Sequence, residues 1–415
     1  MRNWLNGLWG NAVAKGRWHW FIVLAITAVG TGLGHWLHEA HVWPGLRYAI
    51  YRPFSWIANR GREVNPSRTI VVAITDDDYW KGELGRRSPI KRRYLAKLVR
   101  ALDHADPQVI ALDFQLRSPT VDGIPAVEHP DYQAETADFL AAVREVSTRR
   151  AIVLPASIGS GYVVESSIYR GYDFGKGRIF KGYIELPYEI PTIPVAIPVK
   201  SQQDKLDSFS EAIVRATKDR AISELEGVTD DRLPFGTYFN YHSFEHVLAS
   251  DILDGKPAAR EAVSHQIALV GGVWHQFAYN RGPLADGHSS PMGEVPGVYI
   301  HANYVEDVLN HRVYPVIWPG VGVAIEVIFV LALSLVLAAP ESGWKKAGVV
   351  GATCVGLLAV AYFFFQNFGL FFDFFIPLIL VAGHAGFEEI RDWKEKAAKW
   401  DSAQAKTGTQ QNSRS

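Results

Sequence analysis

Four stretches of the 415-residue chain are almost free of charge, and the sequence between them alternates short β-branched runs with helical amphipathic patterns. The first apolar stretch, 20–37 (WFIVLAITAVGTGLGHWL), is long enough to match a bilayer core. Three more crowd the C-terminal end at 316–339, 347–365 and 369–386, the last two flanked by phenylalanine clusters that suit a membrane interface. Arg2, Lys15 and Arg17 precede the first stretch, and Lys345 and Lys346 lie between the second and third. Positive connectors favour the cytoplasmic side. The pattern therefore predicts residues 1–19 inside, an anchor at 20–37, a large external domain at 40–314, three further spans, and a short cytoplasmic tail at 387–415. A cleaved signal peptide is the rival for the first stretch, but the small-residue cleavage site it needs is missing from the HEAHVWPGLRY that follows.

Inside 40–314 the period changes. The runs 68–75 (RTIVVAIT), 108–113 (QVIALD), 151–156 (AIVLPA) and 266–272 (QIALVGG) read as buried strands. Between the first three lie helical patterns at 91–106 and 132–146; the former places Tyr94, Leu95, Leu98, Val99 and Leu102 on one face. Strand, helix, strand, helix, strand predicts a mostly parallel sheet covered by helices, an α/β domain. Residues 159–199, rich in Gly, Tyr and Pro, read as an inserted antiparallel region. Helices are expected at 208–226, 243–253 and 297–309, with a strand in PFGTYFNY.

Composition narrows the chemistry. A net charge of −1 with no basic stripe excludes general nucleic-acid binding. The single cysteine, Cys354, excludes an internal disulfide or thiolate metal framework. There is no nucleophile elbow, glycine-rich phosphate loop or paired-histidine zinc helix, so no catalytic residue is assigned and the chain is expected not to be an enzyme. No cofactor is identified.

Acidic residues mark the strongest candidate site. Asp76, Asp77 and Asp78 follow the first strand and Asp113 ends the second. If these strands are parallel neighbours, the four carboxylates share the edge where open α/β sheets bind ligands, and a divalent cation is one candidate occupant. The alternative is capping of the next helix and ordering of loops, with Arg86, Arg87, Arg92 and Arg93 close by to neutralise the cluster. His275, beyond the fourth strand, is a further candidate ligand contact. His35, His38 and His311 fall near the expected outer membrane surface, as candidates for a metal site or as plain interfacial residues. Glu326, Asp373 and His384 are polar residues within or near the expected spans, where charge is costly. Trp393 and Trp400, a heptad apart in the tail, are candidate contacts for a membrane or cytoplasmic protein partner. Small residues such as Gly351 and Gly356 permit close helix contact in a homodimer.

Together these segments resemble a class-2 CHASE domain, an extracellular sensory module of bacterial receptors. The resemblance rests on VVAITDDDYW (71–80), LGRRSPIKRRYLAKLVRAL (84–102), PQVIALDFQLRSPT (107–120), FNYHSFEHVLAS (239–250), IALVGG (267–272) and PMGEVPGVYIHANYVEDVL (291–309). One anchor before the domain and three spans after it also match that family's layout. The resemblance implies a bacterial inner-membrane sensor with a periplasmic domain, and assigns Pro296, Gly297, His301 and Asn303 to an end motif that fixes the preceding loop against the sheet. Family members commonly continue into a cytoplasmic output domain, for which 387–415 has no room. The expectation is a signal-transduction subunit acting through a separate protein; the alternative is an accessory or assembly subunit of a larger membrane complex.

Overall fold

The computed structural model describes residues 67–116, 130–159, 167–186, 192–199, 205–217, 244–277, 281–290, 293–310 and 343–368, with a few short pieces and isolated helical residues besides. The chain divides into two compact units, one spanning 48–316 and one formed by 1–47 with 317–415.

The first unit is built on a six-stranded sheet: β1 (Thr69–Ile74), β2 (Val109–Asp113), β3 (Ala151–Ala156), β4 (Ile179–Tyr183), β5 (His246–Leu248) and β6 (Ile267–Gly272). The spatial order is β5-β1-β6-β2-β3-β4, and every pairing is parallel. Parallel strands require crossovers, which place helices on both faces, so the strands are apolar throughout rather than alternating. In β1 all six residues are buried.

Alternate side chains enter separate cores. Ile70, Val72 and Ile74 face one core with α1 (Arg92–His104), α2 (Tyr132–Ser147), α4 (Ala249–Leu253) and α5 (Pro257–Val263). Val71 and Ala73 face the other, with α3 (Phe209–Ala216) and α6 (Gly297–Leu309). The result is a three-layer α/β/α domain.

Local chemistry sets the helix ends. Ser208 caps α3, its side chain accepting from the Glu211 backbone N–H at 3.1 Å. After α1 comes Asp106 with φ +59°, a left-handed stop that aspartate tolerates, and Pro107 prevents continuation. Gly271 brings β6 against α6: a Cβ there would sit 2.4 Å from Cβ of Val298. Only glycine permits so close an approach.

Four expectations are corrected. First, β1 and β2 are not neighbours, because β6 lies between them and pairs with both. Second, the region 159–199 is not wholly an antiparallel insertion: β4 is a parallel strand of the main sheet. The antiparallel pairs at 158–164, at 192–194 with 232–234, and at 196–207 surround it. Third, the helix expected over 243–253 starts only at Ala249, since 246–248 pair with β1 as the edge strand. The helix expected over 208–226 is described only as Phe209–Ala216. Fourth, between β6 and α6 two hairpins replace the expected loop: β7 (His275–Phe277) with β8 (Arg281–Leu284), and β9 (Gly287–Ser290) with β10 (Gly293–Pro296).

In the second unit, α7 (Gly343–Phe368) is a helix of 26 residues over the apolar stretch 347–365. Among the described residues no helix is long and apolar enough to cross a membrane; many side chains of α7 lie outside that description, as do most residues of 20–37 and 316–339 and all of 369–386.

Candidate functional site

All six strands point the same way, so their carboxyl ends share one edge. The connection after β1 leads to α1 on one face, whereas that after β6 leads to α6 on the other. Where neighbouring connections part to opposite faces, a crevice opens at the strand ends. Such a cleft of about 660 Å3 is present there, lined by Thr75, Asp76, Asp77, Lys81, Leu248, Val273 and His275.

Asp76 and His275 form its polar centre. Asp76 Oδ1 accepts the His275 backbone N–H at 3.0 Å, and Oδ2 lies 2.8 Å from Nδ1. A carboxylate can only accept, so Nδ1 carries the hydrogen in this pair. The two side chains are 15% and 26% exposed, enough for the imidazole to meet a ligand. The backbone of His275 is held again by Trp80, whose indole N–H donates to its carbonyl at 3.1 Å. Tyr79 stacks on Trp274 at 4.7 Å, fixing the residue before His275 from the same short helical turn.

The remaining acids of the expected cluster diverge. Asp77 pairs with Lys81 at 2.8 Å, with both side chains largely exposed. Asp78 turns inward, accepting from the backbone N–H and hydroxyl of Thr75, each at 2.9 Å, and from the Tyr94 hydroxyl. It therefore orders the loop after β1. Asp113 sits across β6, beside α6. The four carboxylates thus do not form one site, and among the described residues no group of three or more His, Cys, Asp or Glu could hold a metal ion. Nor do the nearby arginines converge on them. Arg87 makes a double hydrogen bond to buried Glu135, at 2.7 and 2.8 Å, while Arg86 lies over the Trp80 ring and Arg92 over that of Tyr132.

A second group surrounds Asp113 at the gap between β6 and β2. His301 Nε2 lies 3.7 Å from Asp113 Oδ1 and 3.3 Å from the Ile184 carbonyl. Both side chains are buried. Burial lowers His301 to about 4, against the opposing influence of Asp286. Burial, reinforced by Asp286, pushes Asp113 well above the usual carboxylate range. His301 is therefore uncharged at pH 7, and burial favours the protonated, uncharged form of Asp113. Asp113 Oδ2 and His301 Nδ1 have no hydrogen-bond partner among the described residues. Asp286 bonds His288 at 3.2 Å. Its carbonyl accepts the Gly297 N–H at 2.9 Å, and its carboxylate fills the space a Cβ on Gly297 would occupy.

Of the end motif, Pro296 closes β10 and Gly297 opens α6. His301 faces Asp113, while Asn303 donates to the Tyr299 carbonyl one turn back. From sequence, Asp286 and His288 group with His301 as residues expected to fix the loop before α6, and their hairpin brings Asp286 to the start of that helix.

A family model described as CHASE2 domain matches residues 22–338. The chain belongs to the CHASE2 domain family. No curated protein matches it, and no solved structure does. CHASE2 is a sensory domain family, so the cleft and the buried pair are features of a sensory domain. His35, His38, His311, Glu326, Asp373, His384 and Trp393 lie outside the described residues; Trp400 is described, helical and 71% exposed.

Proposed function

We propose that this CHASE2 protein is a membrane-anchored, non-enzymatic receptor subunit whose external domain binds a small molecule in the β1–β6 cleft and acts through a partner protein. The observation that carries the reading is the Asp76–His275 pair. An imidazole oriented by a carboxylate, at a crevice between diverging connections, is an arrangement suited to ligand recognition. The route for a response is short in space. His275 opens the double hairpin, whose next segment is tied back by the Ala285 N–H to the Trp274 carbonyl at 2.9 Å, and Asp286 then meets the start of α6. A ligand drawing on His275 strains the hairpin and through it α6, whose chain runs on toward the apolar stretch at 316–339. Four membrane spans, a periplasmic domain and cytoplasmic termini fit the charge pattern of the sequence. Exposed Trp400 supports a protein contact in the tail.

The test is a thermal-shift screen of the purified full-length protein in mild detergent against small polar metabolites. A compound that raises the melting temperature of the parent but not of Asp76→Asn supports the cleft. If every stabilising compound acts equally on parent and variant, the cleft is not the stimulus site.

A further inference from the structure

The cleft's donors and acceptors are unequal in number, and that imbalance selects a ligand. Among the described residues nothing bonds Nε2 of His275, since its one ring hydrogen bond is made at Nδ1. With Nδ1 turned to Asp76, Nε2 is the ring nitrogen left to meet a ligand, and it accepts in the uncharged form of the ring. Thr75 also lines the cleft, and because its hydroxyl hydrogen goes to Asp78 its oxygen can only accept from a ligand. Asp77 contributes a carboxylate that is mostly exposed. Against these acceptors stands one cation among the described lining residues, Lys81, already engaged with Asp77. Among the described lining residues two carboxylates, Asp76 and Asp77, thus stand against one lysine. Leu248, 37% exposed, and Val273 add an apolar wall.

We infer, resting on the reading of the cleft as the stimulus site, that its ligand is a small organic cation, a primary ammonium on a short apolar chain. An ammonium has three donors and no acceptor, which complements Nε2 of His275, the Thr75 oxygen and the Asp77 carboxylate. The chain then lies on Leu248 and Val273. An anion of the same size meets two carboxylates instead. Among the described residues a bare metal ion lacks a sufficient set of ligands, and the cleft's volume is in the range of small-molecule sites.

Isothermal titration of the full-length protein in mild detergent, with tryptophan fluorescence in parallel, tests this using n-butylammonium and its anionic counterpart butyrate. The expected result is saturable binding of butylammonium, weakened about tenfold in Asp76→Asn and about threefold in Asp77→Asn. Lys81→Gln should bind about threefold more tightly, because the competing internal cation is gone. A gain of affinity cannot come from a damaged fold, so this variant guards against that trivial outcome. Preferential binding of butyrate, weakened by Lys81→Gln, overturns the cation class but leaves the cleft as the ligand site. Binding of neither probe, with screened stabilisers indifferent to Asp76→Asn, overturns both.

Discussion

Substituting His301 by Gln tests the buried pair most directly. The imidazole has its folded value near 4, while in the unfolded chain it protonates near 6.5. Between those values the unfolded state binds the extra proton, so this residue's contribution makes stability fall as pH drops from about 6.5 to about 4. Each pH unit in that window is worth ~1.4 kcal/mol, giving about 3 kcal/mol over the whole range. Asp113 acts in the opposite sense. Its folded value is raised, so it favours folding at low pH, and that contribution is lost as pH rises above the unfolded value. Because Asp113 is displaced by burial and Asp286 rather than by His301, its effect largely cancels when parent and variant are compared. The parent's advantage over His301→Gln should therefore shrink by about 3 kcal/mol on going from pH 7 to pH 4, equivalent to about 6 °C in Tm for a domain of this size. Thermal unfolding of the full-length proteins, followed by near-ultraviolet circular dichroism at half-unit pH steps, measures the difference. Parallel curves across that window would refute the assignment of His301 as a buried neutral base.

Other substitutions probe separate parts of the structure. Glu135→Gln breaks the buried double hydrogen bond with Arg87 and should destabilise by about 3 kcal/mol in chemical denaturation. Gly271→Ala drives a Cβ into Val298 and should cost about 1–3 kcal/mol, with the loss seen first as weakened hydrogen-exchange protection in α6. Asp307 on α6 is buried with neither oxygen partnered among the described residues, and burial, then Glu306, raises its pKa. Asp307→Asn should thus become more stable relative to the parent as pH rises from 4 to 7; an unchanging difference would show that the carboxyl is ionised. Deleting 388–415 should abolish output while leaving the melting of the sensory domain unchanged, as read in a host reporter and by circular dichroism.

The sheet was legible where burial on both faces produced long apolar runs. β1, β2, β3 and β6 fall within a residue or so of the runs that predict them, as do α1, α2 and α6. The missed strands carry no such signal. In β4, IFKGY mixes Lys181 and Gly182 with apolar residues, because it lies at the sheet edge with Lys181 exposed. In β5 only three residues pair, and the adjoining helical pattern absorbs them; tertiary pairing with β1 overrides local preference. The site was half legible. Acids after strands mark the correct edge, yet strand order decides which of them meet, and β6 separates Asp76 from Asp113. The partner of Asp76 is His275, which the sequence offers only as an isolated candidate.

That strand order has a consequence for biogenesis. The strand between β1 and β2 is the last of the six to leave the ribosome, so both of its neighbours must wait for it. Until residue 272 is available, β1 and β2 present unpaired edges to each other, and the sheet exists as two incomplete halves. The closing contacts span most of the domain's length, which makes its assembly slow and dependent on protection from aggregation. A shorter fragment ending before Ile267 would therefore be a poor substrate for folding. The two halves of the sheet are joined only at the end, when the central strand slides home and brings His275 to Asp76 in the same step.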